Sequence, residues 1–110
     1  MVMQAFDHWG LETDEALAML GHAPGDVDAH SRYRGGEPLP DERDALDRAG
    51  HILRIHKNLR LLFPHERDKA YRWMKTHNRA FGGCPPVEVV SREGLQGLLR
   101  VRGYLDRAVA

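Results

Sequence analysis

Residues 41–64 read DERDALDRAGHILRIHKNLRLLFP. Leu46, Ala49, Ile52, Leu53, Leu59, Leu62 and Phe63 recur there at the spacing of an amphipathic helix. Asp41 is placed to cap its start, and Pro64 stops it. Downstream, Glu66–Thr76 predicts a further helix with Ala70, Tyr71, Trp73 and Met74 on its apolar side. It would end at His77-Asn78, where asparagine tolerates the left-handed conformation. Phe81-Gly82-Gly83-Cys84-Pro85-Pro86 reads as a turn and Pro86–Val90 as a short helix starting at proline. Ser91 would cap a last helix whose apolar positions are Leu95, Leu98, Leu99, Val101 and Leu105.

Upstream, Thr13 would cap a helix carrying Ala16, Leu17, Met19 and Leu20, with Asp14 and Glu15 in its first turn and Gly21 at its end. Ala23-Pro24-Gly25-Asp26-Val27 turns the chain and restarts a helix, and Arg34–Pro40 is the clearest break. Only the brief Val87–Val90 run alternates like a strand. The expected fold is therefore all-α.

The length of 110 residues fits one compact domain. Its longest apolar stretches, such as Leu61-Leu62-Phe63, fall far short of the roughly 20 residues that span a bilayer, so no membrane role is expected. Met1–Gly10 lacks the basic and long apolar regions of a signal peptide. Cys84 stands alone, which suits a reducing cytoplasm. The net charge is zero but uneven. Residues 1–40 hold seven acids against Arg32 and Arg34, and the remainder holds an excess of bases. A basic C-terminal part would attract an acidic partner; the same distribution also describes a solvated surface whose halves attract each other.

Catalytic and metal chemistry find little purchase, and no catalytic residue, metal site or cofactor is expected. His51 and His56 are five apart, so they face different sides of a helix, and no H-E-x-x-H pattern occurs. His22 and His30 have no neighbouring ligand cluster. Cys84 lacks an identifiable base, and Gly82-Gly83 lacks the remaining glycine and lysine of a phosphate loop. A helix-turn-helix can be fitted to Glu15–Arg34, with Gly21 at the turn and Val27 buried. Its second helix carries Asp26 and Asp28, which repel phosphates, against Arg32 and Arg34 as candidate DNA contacts.

Residues 70–86, AYRWMKTHNRAFGGCPP, resemble the signature of the Xre/MbcA/ParS-like toxin-binding domain family. The motif residues are Ala70, Trp73, Met74, Asn78, Phe81, Gly82, Gly83 and Pro86. Ser91-Arg92-Glu93-Gly94, Val101, Tyr104-Leu105 and the helix ending Leu62-Phe63 also match. The similarity extends well over residues 41–109, and loosely over 9–36 through Trp9, Leu20-Gly21, Tyr33 and Gly35.

This resemblance implies a reduced helix-turn-helix-like region at 1–40 and a toxin-binding domain at 41–110. It implies an antitoxin of a type II toxin–antitoxin module, with no enzymatic activity of its own. The antitoxin would bind and occlude the active site of an NAD-consuming toxin, either RES-type or ADP-ribosylating (ParT-like). Arg92, Arg100, Arg102, Tyr104, Leu105 and Arg107 are the expected toxin contacts. Trp73, Asn78, Phe81, Gly82, Gly83 and Pro86 are expected to be structural. A homodimer and operator DNA are further expected partners. A DNA-binding regulator without toxin-neutralising activity is the competing reading.

Overall fold

The computed structural model describes residues 2–23, 25–37 and 43–110. Among them are seven α-helices: α1 (Val2–Trp9), α2 (Thr13–Leu20), α3 (Val27–Arg34), α4 (Arg43–Leu62), α5 (Arg67–Arg72), α6 (Pro86–Glu93) and α7 (Leu95–Val109). Two short 3₁₀ turns, Trp73–Lys75 and Arg79–Phe81, lie between α5 and α6. The all-α expectation holds. The expected roles of Asp41 and Pro24 and part of the Arg34–Pro40 break fall outside the described residues, as does the side chain of Val27.

Helix α1 was absent from the sequence expectations, although Val2, Ala5, Phe6 and Trp9 follow the i, i+3, i+4, i+7 pattern and are all buried. Gly10, at φ 67°, ends it. In α2 the cap is Glu12, not Thr13. Glu12 and Glu15 form a reciprocal capping box, with the Glu12 N–H donating to Glu15 Oε1 at 2.8 Å. Thr13 is thus the first helical residue.

Helix α4 turns Ile52, Ile55, Asn58 and Leu59 inward. Leu46 and Leu61 face outward and are 53% and 57% exposed, contrary to the reading that put Leu46 on the apolar side. At about 100° per residue, thirteen positions separate Leu46 from Leu59 by nearly half a turn of the helix.

The helix expected over Glu66–Thr76 is interrupted. Thr76 donates its hydroxyl to the Arg72 carbonyl at 2.7 Å, and its N–H closes a 3₁₀ turn onto Trp73. A threonine that bonds its own backbone competes with helical continuation in this way. Asn78 is extended (φ −136°) rather than left-handed, and its Oδ1 accepts from the Ala80 N–H at 2.9 Å. Gly82 and Gly83 take the positive φ values instead. Pro86 opens α6 as expected. Ser91 caps nothing, because it lies inside α6. Gly94, at φ 64° and ψ −134°, separates α6 from α7 in a conformation open essentially to glycine alone.

One hydrophobic cluster joins Phe6, Trp9, Leu17 and Met19 to Ile52, Ile55 and Leu59, and through Met74 and Val90 to Leu98, Val101 and Leu105. Burying each such side chain stabilises by about 1.5–3 kcal/mol. Lys75 ties its 3₁₀ turn to the N-terminal helices: its ammonium donates to the Gly10 carbonyl at 3.0 Å and pairs with Glu15 at 3.4 Å. Helix α7 packs on both α4 and α6. The α6 crossing is tight, for a Cβ on Gly97 would stand 2.5 Å from the Val89 carbonyl oxygen. Gly97→Ala should therefore destabilise the fold by about 1–3 kcal/mol in chemical unfolding. Gly50→Ala meets open space on α4 and should stabilise by about 0.5–1 kcal/mol. Equal stability for the two variants would contradict the close α6–α7 approach.

Candidate functional site

Three aromatic residues from separate elements meet on one side of the molecule. Trp73 and Phe81 contact edge to face, with centroids 6.5 Å apart and planes at 82°. Tyr104 of α7 stacks on Trp73 at 6.1 Å and meets Phe81 edge-on at 5.4 Å. Such pairs add about 0.5–1.5 kcal/mol each beyond burial. Asn78, Gly82 and Gly83 shape the turn that returns Phe81 to Trp73. His77 supports it, with Nδ1 2.7 Å from the Gly83 carbonyl. Phe81 is buried, while Trp73 and Tyr104 are half-buried and keep part of their surface outside.

Cations border this cluster. The Arg100 guanidinium lies 5.7 Å from the Phe81 centroid, a cation–π distance, and pairs with Glu93. Arg100, Tyr104 and Arg107 share one face of α7 at i, i+4, i+7 spacing. With Phe81, Leu99 and Gly103 they line a cavity of about 320 Å³. Leu99, expected in the core, is 44% exposed here.

The other C-terminal candidates lie elsewhere. Leu105 is completely buried, so its side chain is withdrawn from any partner. Arg92 sits on α6, its Nη2 at 3.0 Å from Cys84 Sγ and 3.5 Å from Glu88. Arg102 faces α4 and donates from Nη1 to His51 Nδ1 at 2.7 Å, which fixes that ring as the neutral Nε2–H tautomer. The same seam holds Asp106, which accepts from buried Asn58 at 2.7 Å and lies 3.4 Å from both Arg54 and Arg102. The Asn58 hydrogen bond, reinforced by Arg54 and Arg102, holds the Asp106 carboxyl below its ordinary range.

In the N-terminal region, Arg34 forms a two-pronged pair with Asp7 (2.8 and 3.2 Å), and Arg32 pairs with Glu37 at 3.1 Å. Helices α2 and α3 pack together, with His22 Nε2 3.1 Å from the Tyr33 hydroxyl. Among the described residues no three His, Cys, Asp or Glu side chains group to hold a metal, and no helix is long and apolar enough to cross a membrane.

Residues 58–108 match the model of the antitoxin Xre/MbcA/ParS C-terminal toxin-binding domain. The chain is also 34% identical over 100 residues to uncharacterized protein y4oB of Sinorhizobium fredii, covering 91% of this chain and 74% of that protein. Residues 58–108 thus belong to the Xre/MbcA/ParS toxin-binding domain family. The toxin-binding domain so defined contains the whole aromatic cluster, the Arg100–Tyr104–Arg107 face and the Arg102–Asp106 seam with its partner Asn58. The other seam residues, His51 and Arg54, lie just outside it.

The seam is sensitive to protons. Burial first, then the Arg102 guanidinium and Arg48, lower the His51 pKa below the ordinary 6.5, against Asp47, which raises it. Protonation would turn its acceptor nitrogen into a donor facing a cation. Burial also lowers His56, helped by Arg60 and His8. Because both folded values lie below the unfolded ones, the unfolded chain binds more protons in the interval between them. The stabilisation is then complete above about pH 7 and lost progressively as pH falls from the unfolded value through the lower folded one. Asp106 adds a loss only at lower pH, below the ordinary carboxylate value. Unfolding between about pH 7.5 and 5.5 should show falling wild-type stability and a shallower fall in His51→Gln, whose side-chain carbonyl still accepts from Arg102. A wild-type stability independent of pH there would contradict this arrangement.

Proposed function

We propose that this antitoxin neutralises a cytoplasmic, NAD-consuming toxin of the RES or ADP-ribosylating (ParT-like) class by covering its active site, as one half of a type II module. The observation that carries the reading is the location of the exposed aromatic–cationic face of Arg100, Tyr104 and Arg107 inside the span matched to a toxin-binding domain. Planar guanidinium groups beside aromatic rings suit a protein interface, where arginine and tyrosine often contribute most of the binding energy. Inhibition is by occlusion and needs no catalytic group or cofactor on the antitoxin. Arg92 forms the α6 border of the contact, and Arg102 positions α7 from behind.

The division into an N-terminal region (1–40) and a toxin-binding region (41–110) is one of role, since both share the hydrophobic cluster. Leu46 and Leu61, exposed on α4, favour self-association along that helix. Operator binding by Arg32 and Arg34 draws less support, because each already faces a carboxylate that offsets its charge toward phosphate.

Co-expression with the protein encoded beside it tests the reading. A stable complex that suppresses NAD loss is expected, with a light-scattering mass that includes two antitoxin chains. Arg100→Glu combined with Arg107→Glu should retain the fold, since both side chains are exposed, yet weaken the complex at least about tenfold. Removing residues after Val90 would not distinguish binding from folding, as Leu98, Val101 and Leu105 are core residues. Absence of a complex, together with salt-sensitive promoter binding, would overturn the proposal in favour of a DNA-binding regulator.

A further inference from the structure

A second cavity opens on the other side of Trp73. It has a volume of about 380 Å³ and is lined by Phe63, Lys69, Arg72, Trp73 and Thr76. Phe63 and Trp73 supply aromatic walls, and Lys69 and Arg72 bring two cations to it. Arg72 donates from Nε to the Asp68 carbonyl at 3.3 Å and meets no carboxylate among the described residues. Lys69 pairs with Glu66 at 2.7 Å on an exposed surface, where such pairs are worth little. Trp73 also stacks on Tyr104, which lines the first cavity, so a single aromatic pair separates the two.

Resting on the toxin-binding reading above, we propose that this second cavity is an anchor subsite of the same interface. Its occupant is a toxin segment that inserts one bulky apolar side chain between Phe63 and Trp73 and presents flanking carboxylates to Arg72 and Lys69. Three observations support this occupant. The walls are aromatic while the rim is cationic, which matches an apolar residue beside acids. The Trp73 wall of this cavity stacks on Tyr104, which lines the Arg100–Arg107 face. All five lining residues fall within the span matched to a toxin-binding domain. The cavity flanks the point where α5 ends at Arg72 and Trp73 begins a 3₁₀ turn. A partner that spans both cavities gains a central, water-excluded aromatic anchor, the usual position of a binding hot spot.

The test uses the full chain and the toxin recovered from the co-expressed complex by denaturation and refolding. Calorimetric titration is run on wild type, Lys69→Glu/Arg72→Glu, Arg100→Glu/Arg107→Glu and the distant control Arg43→Glu. Far-UV dichroism checks each fold, and the milder Arg72→Gln replaces the first pair if that variant unfolds. The subsite requires a loss of at least about thirtyfold for Lys69→Glu/Arg72→Glu, or tenfold for Arg72→Gln, with Arg43→Glu unchanged. It also requires zero-length carbodiimide cross-links from Lys69 to a toxin carboxylate. If the Lys69/Arg72 variants bind like wild type while Arg100→Glu/Arg107→Glu is impaired, the subsite is overturned and the antitoxin reading survives. If wild type itself binds no toxin, both fail. Tight, salt-sensitive binding of a 20-base-pair duplex that depends on Arg72 would instead make this a nucleic-acid surface and overturn the proposal.

Discussion

The position of α7 depends on a place where no side chain fits. Gly97 lies against the Val89 carbonyl so closely that one methyl group would intrude on it, and this lets α6 and α7 cross at backbone contact. Gly94, in its glycine-only conformation, reverses the chain just before that crossing. With α7 fixed at its start, Leu98, Val101 and Leu105 drop into the core beside Ile52, Ile55 and Leu59. The orientation of every other α7 side chain follows from those contacts.

Helical periodicity then divides α7 into faces with different work. Arg102 and Asp106 turn to α4 and form a polar seam with His51, Asn58 and Arg54. Arg100, Tyr104 and Arg107 turn the other way and build an aromatic–cationic surface with Trp73 and Phe81. Residues 100 and 102 are about 200° apart around a helix, so one arginine braces the fold and the other meets the exterior. That exterior surface lies within residues 58–108, which match a toxin-binding domain.

Much of this was legible in the sequence, where helical spacing is strong and punctuated. The helical class, the turn at Gly82-Gly83 and the start of α6 at Pro86 follow from local chemistry. Helix α1 escaped notice because it is only eight residues long and its pattern (Val2, Ala5, Phe6, Trp9) lacks a capping signal. Ser91 attracted a cap assignment because serine caps helices, but the deciding residue was Gly94, whose positive φ depends on the tertiary crossing. Leu46 looked equivalent to Leu59 in composition and differs only in angle around α4. The i, i+4, i+7 set of Arg100, Tyr104 and Arg107 was recoverable from spacing, as was the opposite orientation of Arg102. The cavity beside Phe63 was not, since it lies where α5 gives way to the 3₁₀ turn of Trp73–Lys75, a break the helical spacing does not mark.

On the proposed reading the protein meets a toxin through the aromatic–cationic side of its C-terminal region. Hydrogen–deuterium exchange of the full chain, free and in complex with the co-expressed toxin, tests this most directly. Slowed exchange is expected in residues 69–83 and 99–107, with residues 13–37 unchanged. Protection confined to 13–37, with the C-terminal region exchanging as in the free protein, would contradict it.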